Sequence, residues 1–397
     1  MKPNSNTILT SRRELLAGSA GLLMAGAAAG LPLSSVAAEA NHRSSSPTPN
    51  PAPHGADSPR AASPASPIRV IIDTDPGVDD AMAILLALRS PELKVEAITP
   101  VSGNVPLSMT LPNALRLVEI AGRTDIPVAA GASVPLMRNL VTAKYAHGNN
   151  GLGGVEFPEP KVKPVKETAT EIICRIVRAN PGEITIVAVG PLTNMATVLR
   201  SDPEIAKLIR AIVIMGGSIT NGNVTPAAEF NLYVDPEAAR IVFDAGVPLT
   251  MVGLNVTEQV LLNVDHVAQL EAAKNPVAQA AGKIMRATIG RIKPTGDRTV
   301  VAMHDPLTVA HLIDPAILTL KDYYVGIETS GEWSAGQTVA YAHGPVRKSP
   351  PMATAGGADA SERAEGVGEF KPNTHVAVGV DADRFFRLLM SRLTANG

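Results

Sequence analysis

Four aspartates, Asp73, Asp75, Asp79 and Asp80, fall within eight consecutive residues. Carboxylates held that close repel one another unless hydrogen bonds or a cation hold them. Oxygen-only ligands suit a hard cation, calcium or magnesium. The acids follow the β-branched run 68–72, so a strand delivers them. Gly77 permits a tight turn, and Asp79 and Asp80 then fall in the first turn of a helix, where free amides and the helix dipole favour anions. One or two acids suffice to cap a helix, so four point to a cation site rather than to a cap with solvated neighbours. Counting from Asp73, the twelfth position is Ile84 and not Glu, which excludes an EF-hand.

These acids need a rigid support, and the surrounding pattern supplies one. Short apolar strands are expected at 68–72, 94–99, 184–189, 211–215 and 248–254. Helices are expected at 81–88, 113–121, 171–178 and 194–199, with another opened by Asp235-Pro236-Glu237 and stopped by Gly246. A strand at 375–378 and a helix at 382–393 close the chain. Strands alternating with helices predict a mostly parallel, Rossmann-like α/β sheet covered on both faces. Ligands of such sheets bind beyond the carboxyl ends of the strands. The polar clusters lie at those ends: 73–80, Ser102-Gly103-Asn104, Gly190-Pro191 and Gly216-Gly217. Cys174 is the only cysteine, so no intrachain disulfide forms; its apolar-periodic context reads as a buried helical position rather than a nucleophile.

A strand followed by Asp-x-Asp also opens haloacid dehalogenase phosphatases. Those usually carry Thr or Val two residues after the second Asp, where Gly77 stands here, and the Asp79-Asp80 pair is foreign to them. The run Asp73-Thr74-Asp75-Pro76-Gly77-Val78-Asp79-Asp80-Ala81 instead resembles the signature of the inosine–uridine-preferring nucleoside hydrolases. Further motifs recur in order: Ser102-Gly103-Asn104-Val105, His147-Gly148-Asn149-Asn150-Gly151-Leu152-Gly153 and Val189-Gly190-Pro191-Leu192-Thr193-Asn194. Met215-Gly216-Gly217, Ala228-Glu229-Phe230-Asn231, Asp235-Pro236-Glu237-Ala238-Ala239 and Met303-His304-Asp305-Pro306-Leu307 follow. The resemblance covers about residues 68 to 393, and a series of this length is specific where one motif alone is weak.

The resemblance implies a nucleoside-hydrolase-like fold and a calcium-dependent cleavage of the N-glycosidic bond of a ribonucleoside, giving ribose and free base. Calcium would be held by Asp75, Asp80, Asp305 and the main-chain carbonyl of Val189. Asp75 would be the general base toward water. Asp79 and Asn104 would bind ribose hydroxyls, with Asn223, Glu229 and Asn231 holding the sugar and its 5′-hydroxyl. Asp73 would orient the first loop. His304 is the residue for protonating or contacting the leaving base, or else for orienting Asp305. His147 lies in a loop expected to close over the base, or is a plain surface residue. A homodimer or homotetramer is implied. Asn149 and Asn150 stand where many relatives have Asp, and the strand 337–341 lacks an acid often found at its end. Residues 288–300, which help choose the base in relatives, show no assignable match; Arg291, Lys293 and Arg298 there face solvent or substrate. A calcium–ribose binder without turnover on the same scaffold is the alternative function.

Residues 1–40 read as an export signal of the twin-arginine type. Arg12 and Arg13 precede a stretch from 15 to 38 without charge, and Val36-Ala37-Ala38-Glu39-Ala40 offers small residues for cleavage. The stretch is rich in Ala, Gly and Ser, so cleavage is expected in place of a membrane anchor, and with it a periplasmic or secreted product without stable membrane association. Residues 41–66, rich in Ser, Pro and Ala, read as a disordered linker. The catalytic domain is expected at 67–397, with a loop inserted at 344–370. A net charge of -2 in 397 residues, without a basic run past the N-terminus, excludes a nucleic-acid footprint.

Overall fold

Successive residues of the first strand, β1 (Ile68–Thr74), serve opposite faces of one sheet. Val70 and Ile72 join one apolar layer and Ile71 the other. The strands β3 (Ile184–Ala188) and β4 (Ala211–Met215) alternate likewise, with Val187, Val213 and Met215 on the first face and Ile186, Ile212 and Ile214 on the second. Burial on both faces is why these segments are continuous apolar runs. The computed structural model describes residues 66–291, 299–342, 346–347, 367–368 and 371–396. The expected signal, almost all of the linker, Lys293, Arg298 and most of the expected insertion lie outside the described residues.

In chain order, β1 leads to α1 (Val78–Leu88), β2 (Leu93–Pro100), α2 (Leu107–Ile120), α3 (Lys144–His147) and α4 (Ala169–Ala179). Then come β3, α5 (Thr193–Ser201), β4, α6 (Phe230–Val234), α7 (Pro236–Phe243), β5 (Leu249–Val252), α8 (Leu254–Thr257) and β6 (Leu261–Leu262). The helices α9 (Val264–Ala272) and α10 (Pro276–Arg291), strand β7 (Val301–Ala302), α11 (His304–Ile313), β8 (Leu318–Ile327) and β9 (Thr338–Tyr341) follow. The chain closes with β10 (Val346–Arg347), β11 (Val367–Gly368), β12 (Thr374–Val380) and α12 (Ala382–Thr394).

The main sheet has the order β2-β1-β3-β4-β5-β12-β8-β9. It is parallel from β2 through β12, and β8 and β9 add antiparallel pairs at one edge. Side chains of α1, α2 and α9 to α12 fill one apolar layer, and those of α4, α5 and α7 the other. This is the α/β architecture with a mostly parallel sheet and flanking helices that the sequence predicts. The segment 248–254 is a shorter strand than expected: Leu254 already belongs to α8. Cys174 is helical but only half-buried, packed at the margin of the second layer. Among the described residues no helix is long and apolar enough to cross a membrane.

Two caps fix helix starts on the second face of the sheet. Thr168 accepts the amide of Glu171 while Glu171 returns a bond to the Thr168 amide, a reciprocal cap on α4. Asp235 accepts from the Ala238 amide at the start of α7, and also from the Thr193 hydroxyl and the Leu136 amide. That one buried carboxylate ties α7, α5 and the 131–141 segment together.

Candidate active site

The carboxyl ends of β1, β2, β3 and β4 lie side by side, and the segments leaving them build one floor. Asp80 organises it. Its carboxylate accepts from the Thr74 hydroxyl (2.6 Å), the Asp75 amide (3.2 Å), the Gly77 amide (3.0 Å) and the Asn104 side chain (2.9 Å). The turn between β1 and α1 is therefore wound around one acid. Asp75 sits in the same turn: its Oδ2 accepts the Asn104 backbone amide at 2.7 Å, and its Oδ1 is buried with no hydrogen-bond partner among the described residues. Asp73, two residues back in β1, takes the Thr99 hydroxyl (2.6 Å) and the Asn194 side chain (2.8 Å) on Oδ2, and its Oδ1 also has no partner among the described residues. Asp73 thus fastens β1 to β2 and α5.

Glycines surround Asp75 because nothing larger fits. A Cβ on Gly190 would stand 2.7 Å from Asp75 Oδ1, and one on Gly103 would collide with Oδ2. Gly77 lies under the His147 ring and the Asn104 side chain in the same way.

Carboxylate oxygens of Asp79, Asp80 and Asp305 lie within 4.8 Å of one another. Asp305 reaches this point from the first turn of α11, more than two hundred residues along the chain. The triad includes Asp79, expected on the sugar, and does not include Asp75, expected on the cation. Asp75 nevertheless belongs to the same electrostatic unit. Burial, then the charge of Asp80, pushes its pKa well above the usual carboxylate range. Burial, then Asp79, Asp80 and Asp75, does the same to Asp305. Burial raises Asp79 and Asp80 to about 6 and Asp73 to about 7. Among the described residues no lysine or arginine pairs with any of them. Buried carboxylates this close, two with an orphaned oxygen among the described residues, fit a hard cation.

Above the floor opens a cleft of about 390 Å³. Asp79, Asn104, His147 and Val189 line it on one side, Asn223, Glu229 and Asn231 on another, and His304 and Asp305 on a third. Asp75 and Asp80 do not line it; both are fully buried beneath. The Asn104 side-chain nitrogen is committed to the floor, donating to the Asp75 carbonyl and to the Asp80 carboxylate. Glu229 caps α6, accepting from the amides of Gly217, Asn231 and Leu232, and burial raises its pKa to about 7. Asn231 donates to the carbonyls of Val189 and Met215, both at 3.0 Å. Its bond holds the Val189 carbonyl against the floor. Asn223 accepts the Phe230 amide.

Two imidazoles face the cleft. His147 ends α3 with its Nδ1 accepting the Val78 amide at 3.0 Å and 3.8 Å from Asp79. His304 has its Nδ1 2.7 Å from the Thr257 hydroxyl. Burial pushes His147 down to about 3, helped by the nearness of His304, and His304 down to about 4 against the opposing charge of Glu258. Sequence reasoning missed Thr257, Tyr145 and Met215, and left Thr288 and Arg291 unassigned. Tyr145, Met215, Thr288 and Arg291 line the cleft, and Arg291 donates to the Ala146 carbonyl. Tyr145 flanks a motif already recognised and Met215 opens one, which was their signal; Thr257 carried none.

The sequence pattern of the family described as inosine-uridine preferring nucleoside hydrolase matches residues 70–387. The pyrimidine-specific ribonucleoside hydrolase RihA of Citrobacter koseri is 46% identical over 271 residues, 68% of this chain and 87% of that protein. A solved plant nucleoside hydrolase, PpNRh1, has a TM-score of 0.75 at 38% identity, covering 83% of this chain and all of that one. A purine-preferring ribonucleoside hydrolase of Gardnerella vaginalis has a TM-score of 0.71 at 31% identity, covering 82% of this chain and 98% of that one.

Proposed function

The chain belongs to the inosine-uridine preferring nucleoside hydrolase family and is a ribonucleoside hydrolase; from that premise we propose that it is an exported, calcium-dependent enzyme acting on pyrimidine ribonucleosides. The observation that carries the reading is the floor of buried carboxylates, without a lysine or arginine partner among the described residues, beneath a cleft lined by polar side chains. The pyrimidine preference leans on the 46% identical relative, named for that specificity.

Asp75, Asp80, Asp305 and the Val189 carbonyl would hold the cation, and Asp79 stands close enough to these acids to share in it. A calcium ion there would offset the clustered negative charge and make a nearby water more acidic. The unpartnered Oδ1 of Asp75 is the acceptor for that water's proton. As the water oxygen bonds to the anomeric carbon, the C–N bond breaks and its electron pair leaves with the base. The sugar passes through a state with oxocarbenium character, favoured by the negative floor beneath it. Asp79 and the oxygen of Asn104 suit ribose hydroxyls, and Asn223, Glu229 and Asn231 suit the sugar and its 5′-hydroxyl. His304, and His147 across the cleft, face the departing base.

The test is ribose release from a panel of ribonucleosides, uridine and cytidine beside inosine and adenosine, with and without a calcium chelator. The expected result is release from the pyrimidine nucleosides that stops with the chelator and drops at least about a hundredfold in Asp75→Ala. Faster turnover of inosine would overturn the base preference. Activity that survives exhaustive chelation would overturn the cation requirement. Export is tested by fractionating cells that express the full chain, where a solely cytosolic product sinks it, and the homodimer or homotetramer by light scattering.

A further inference from the structure

The two imidazoles of the cleft are anchored differently. A backbone amide can only donate, so the Val78 amide fixes His147 Nδ1 as an acceptor, and the His147 proton stays on Nε2. A hydroxyl both donates and accepts, so the Thr257 hydroxyl holds His304 Nδ1 at 2.7 Å with the ring proton on either nitrogen. Thr257 is fully buried and does not line the cleft, whereas His304 does. The Nδ1 edge of His304 therefore turns into the protein and the Nε2 edge toward the substrate.

The framework behind this bond is rigid. Thr257 ends α8, and its amide donates to the Gly253 carbonyl. Downstream, β6 pairs with β7, Leu261 opposite Ala302 and Leu262 opposite Val301, and the Met303 amide donates to the Val260 carbonyl. Those pairings bring residue 257 to residue 304 across 47 positions of sequence. They fix both backbones, so the hydroxyl decides only the ring.

We propose that Thr257 is a positioning residue for the leaving-group step: its hydroxyl aims His304 Nε2 at the base and keeps it aimed whichever ring nitrogen carries the proton. The inference rests on the hydrolase reading and deepens it. A base leaves readily only when its negative charge is met by a proton or hydrogen bond, whereas p-nitrophenolate leaves without one. Thr257→Val keeps the shape of the side chain and removes the anchor, and Thr257→Ser keeps the anchor.

The experiment measures kcat and KM of wild type and both variants on uridine and on p-nitrophenyl β-D-ribofuranoside, with thermal melting as the check on folding. Expected is a fall in kcat for Thr257→Val on uridine of at least about tenfold with KM little changed, no comparable loss on the p-nitrophenyl riboside, and near-wild-type values for Thr257→Ser. Equal losses on both substrates would assign Thr257 a purely structural role and overturn the proposal, as would wild-type rates on both. Wild type that cleaves neither substrate would bring down the hydrolase reading and this inference with it, an outcome distinct from failure of the valine variant alone.

Discussion

At the residue scale the site depends on its smallest members as much as on its acids. Gly103 and Gly190 press on the two oxygens of Asp75, so a methyl group on either must move the carboxylate. A displacement of about 1 Å at a reacting group costs on the order of a hundredfold in rate. Gly103→Ala is expected to lose activity on that order while keeping its far-ultraviolet circular dichroism; wild-type turnover would show that Asp75 has room to spare. Asp73, Asp75, Gly77, Asp79 and Asp80 were legible in the sequence because they lie in one unbroken segment at the end of one strand, and Gly103 and Gly190 because each follows another strand end. His304 and Asp305 were legible only through the motif that carries them. Thr257 was not legible, since a threonine in an apolar stretch says nothing about a ring 47 residues away. The resemblance assigned Asp79 to the sugar; it lines the cleft, and its carboxylate also lies within 4.8 Å of those of Asp80 and Asp305. Spacing along a helix start does not tell which of two adjacent acids turns down and which turns up.

At the element scale, Asn113 of α2 is a clip. Its side-chain nitrogen donates to the carbonyls of Pro76 (3.1 Å) and Asn150 (2.8 Å), joining the turn that carries the acids to the segment that follows His147. Asn113→Ala leaves one buried and one half-buried carbonyl without that donor, at about 1–3 kcal/mol of stability, and frees the two segments to move apart. The expected outcome is a lower urea midpoint together with a raised KM; an unchanged KM would mean that the segments hold each other without the clip. Thr168→Ala is the matched control. It removes the cap of α4, far from the cleft floor, and should cost about 1 kcal/mol with kcat and KM unchanged. The βα units from β1 to α7 were readable because strand, turn and helix follow one another with clear punctuation. α10 and β8 were not. α10 draws six of its sixteen residues from Ala and Gly, which blunt the apolar pattern, and β8, an inner strand between β12 and β9, mixes charged and aromatic residues with apolar ones. α11 was hidden by Pro306, which sits in its first turn, where proline is tolerated.

At the scale of the whole molecule, the buried acids couple stability to pH and to the cation. Asp73 and Glu229, raised to about 7, and Asp79 and Asp80, raised to about 6, hold protons in the folded chain that the unfolded chain releases near pH 4. Between these values the folded state binds more protons, so stability falls as pH rises from about 4 to about 7. The chelated protein should therefore melt at progressively lower temperature from pH 5 to pH 7.5. Added calcium should raise the melting temperature most at the upper end, where the acids are ionised and ready to bind it. A chelated protein whose melting temperature climbs over that range would contradict the sign. The floor on which this rests joins β1 near the start of the domain to α11 near residue 305. The order of synthesis follows from that span. A ribosome that has finished β1, α1 and every strand through β5 has made most of a sheet but no working site, because the last acid is still to come. Long-range closure of this kind is slow, and it makes the first catalytic turnover a signal that translation has passed α11. Nascent chains released in steps along the gene should thus gain activity in a single jump, with no graded intermediate.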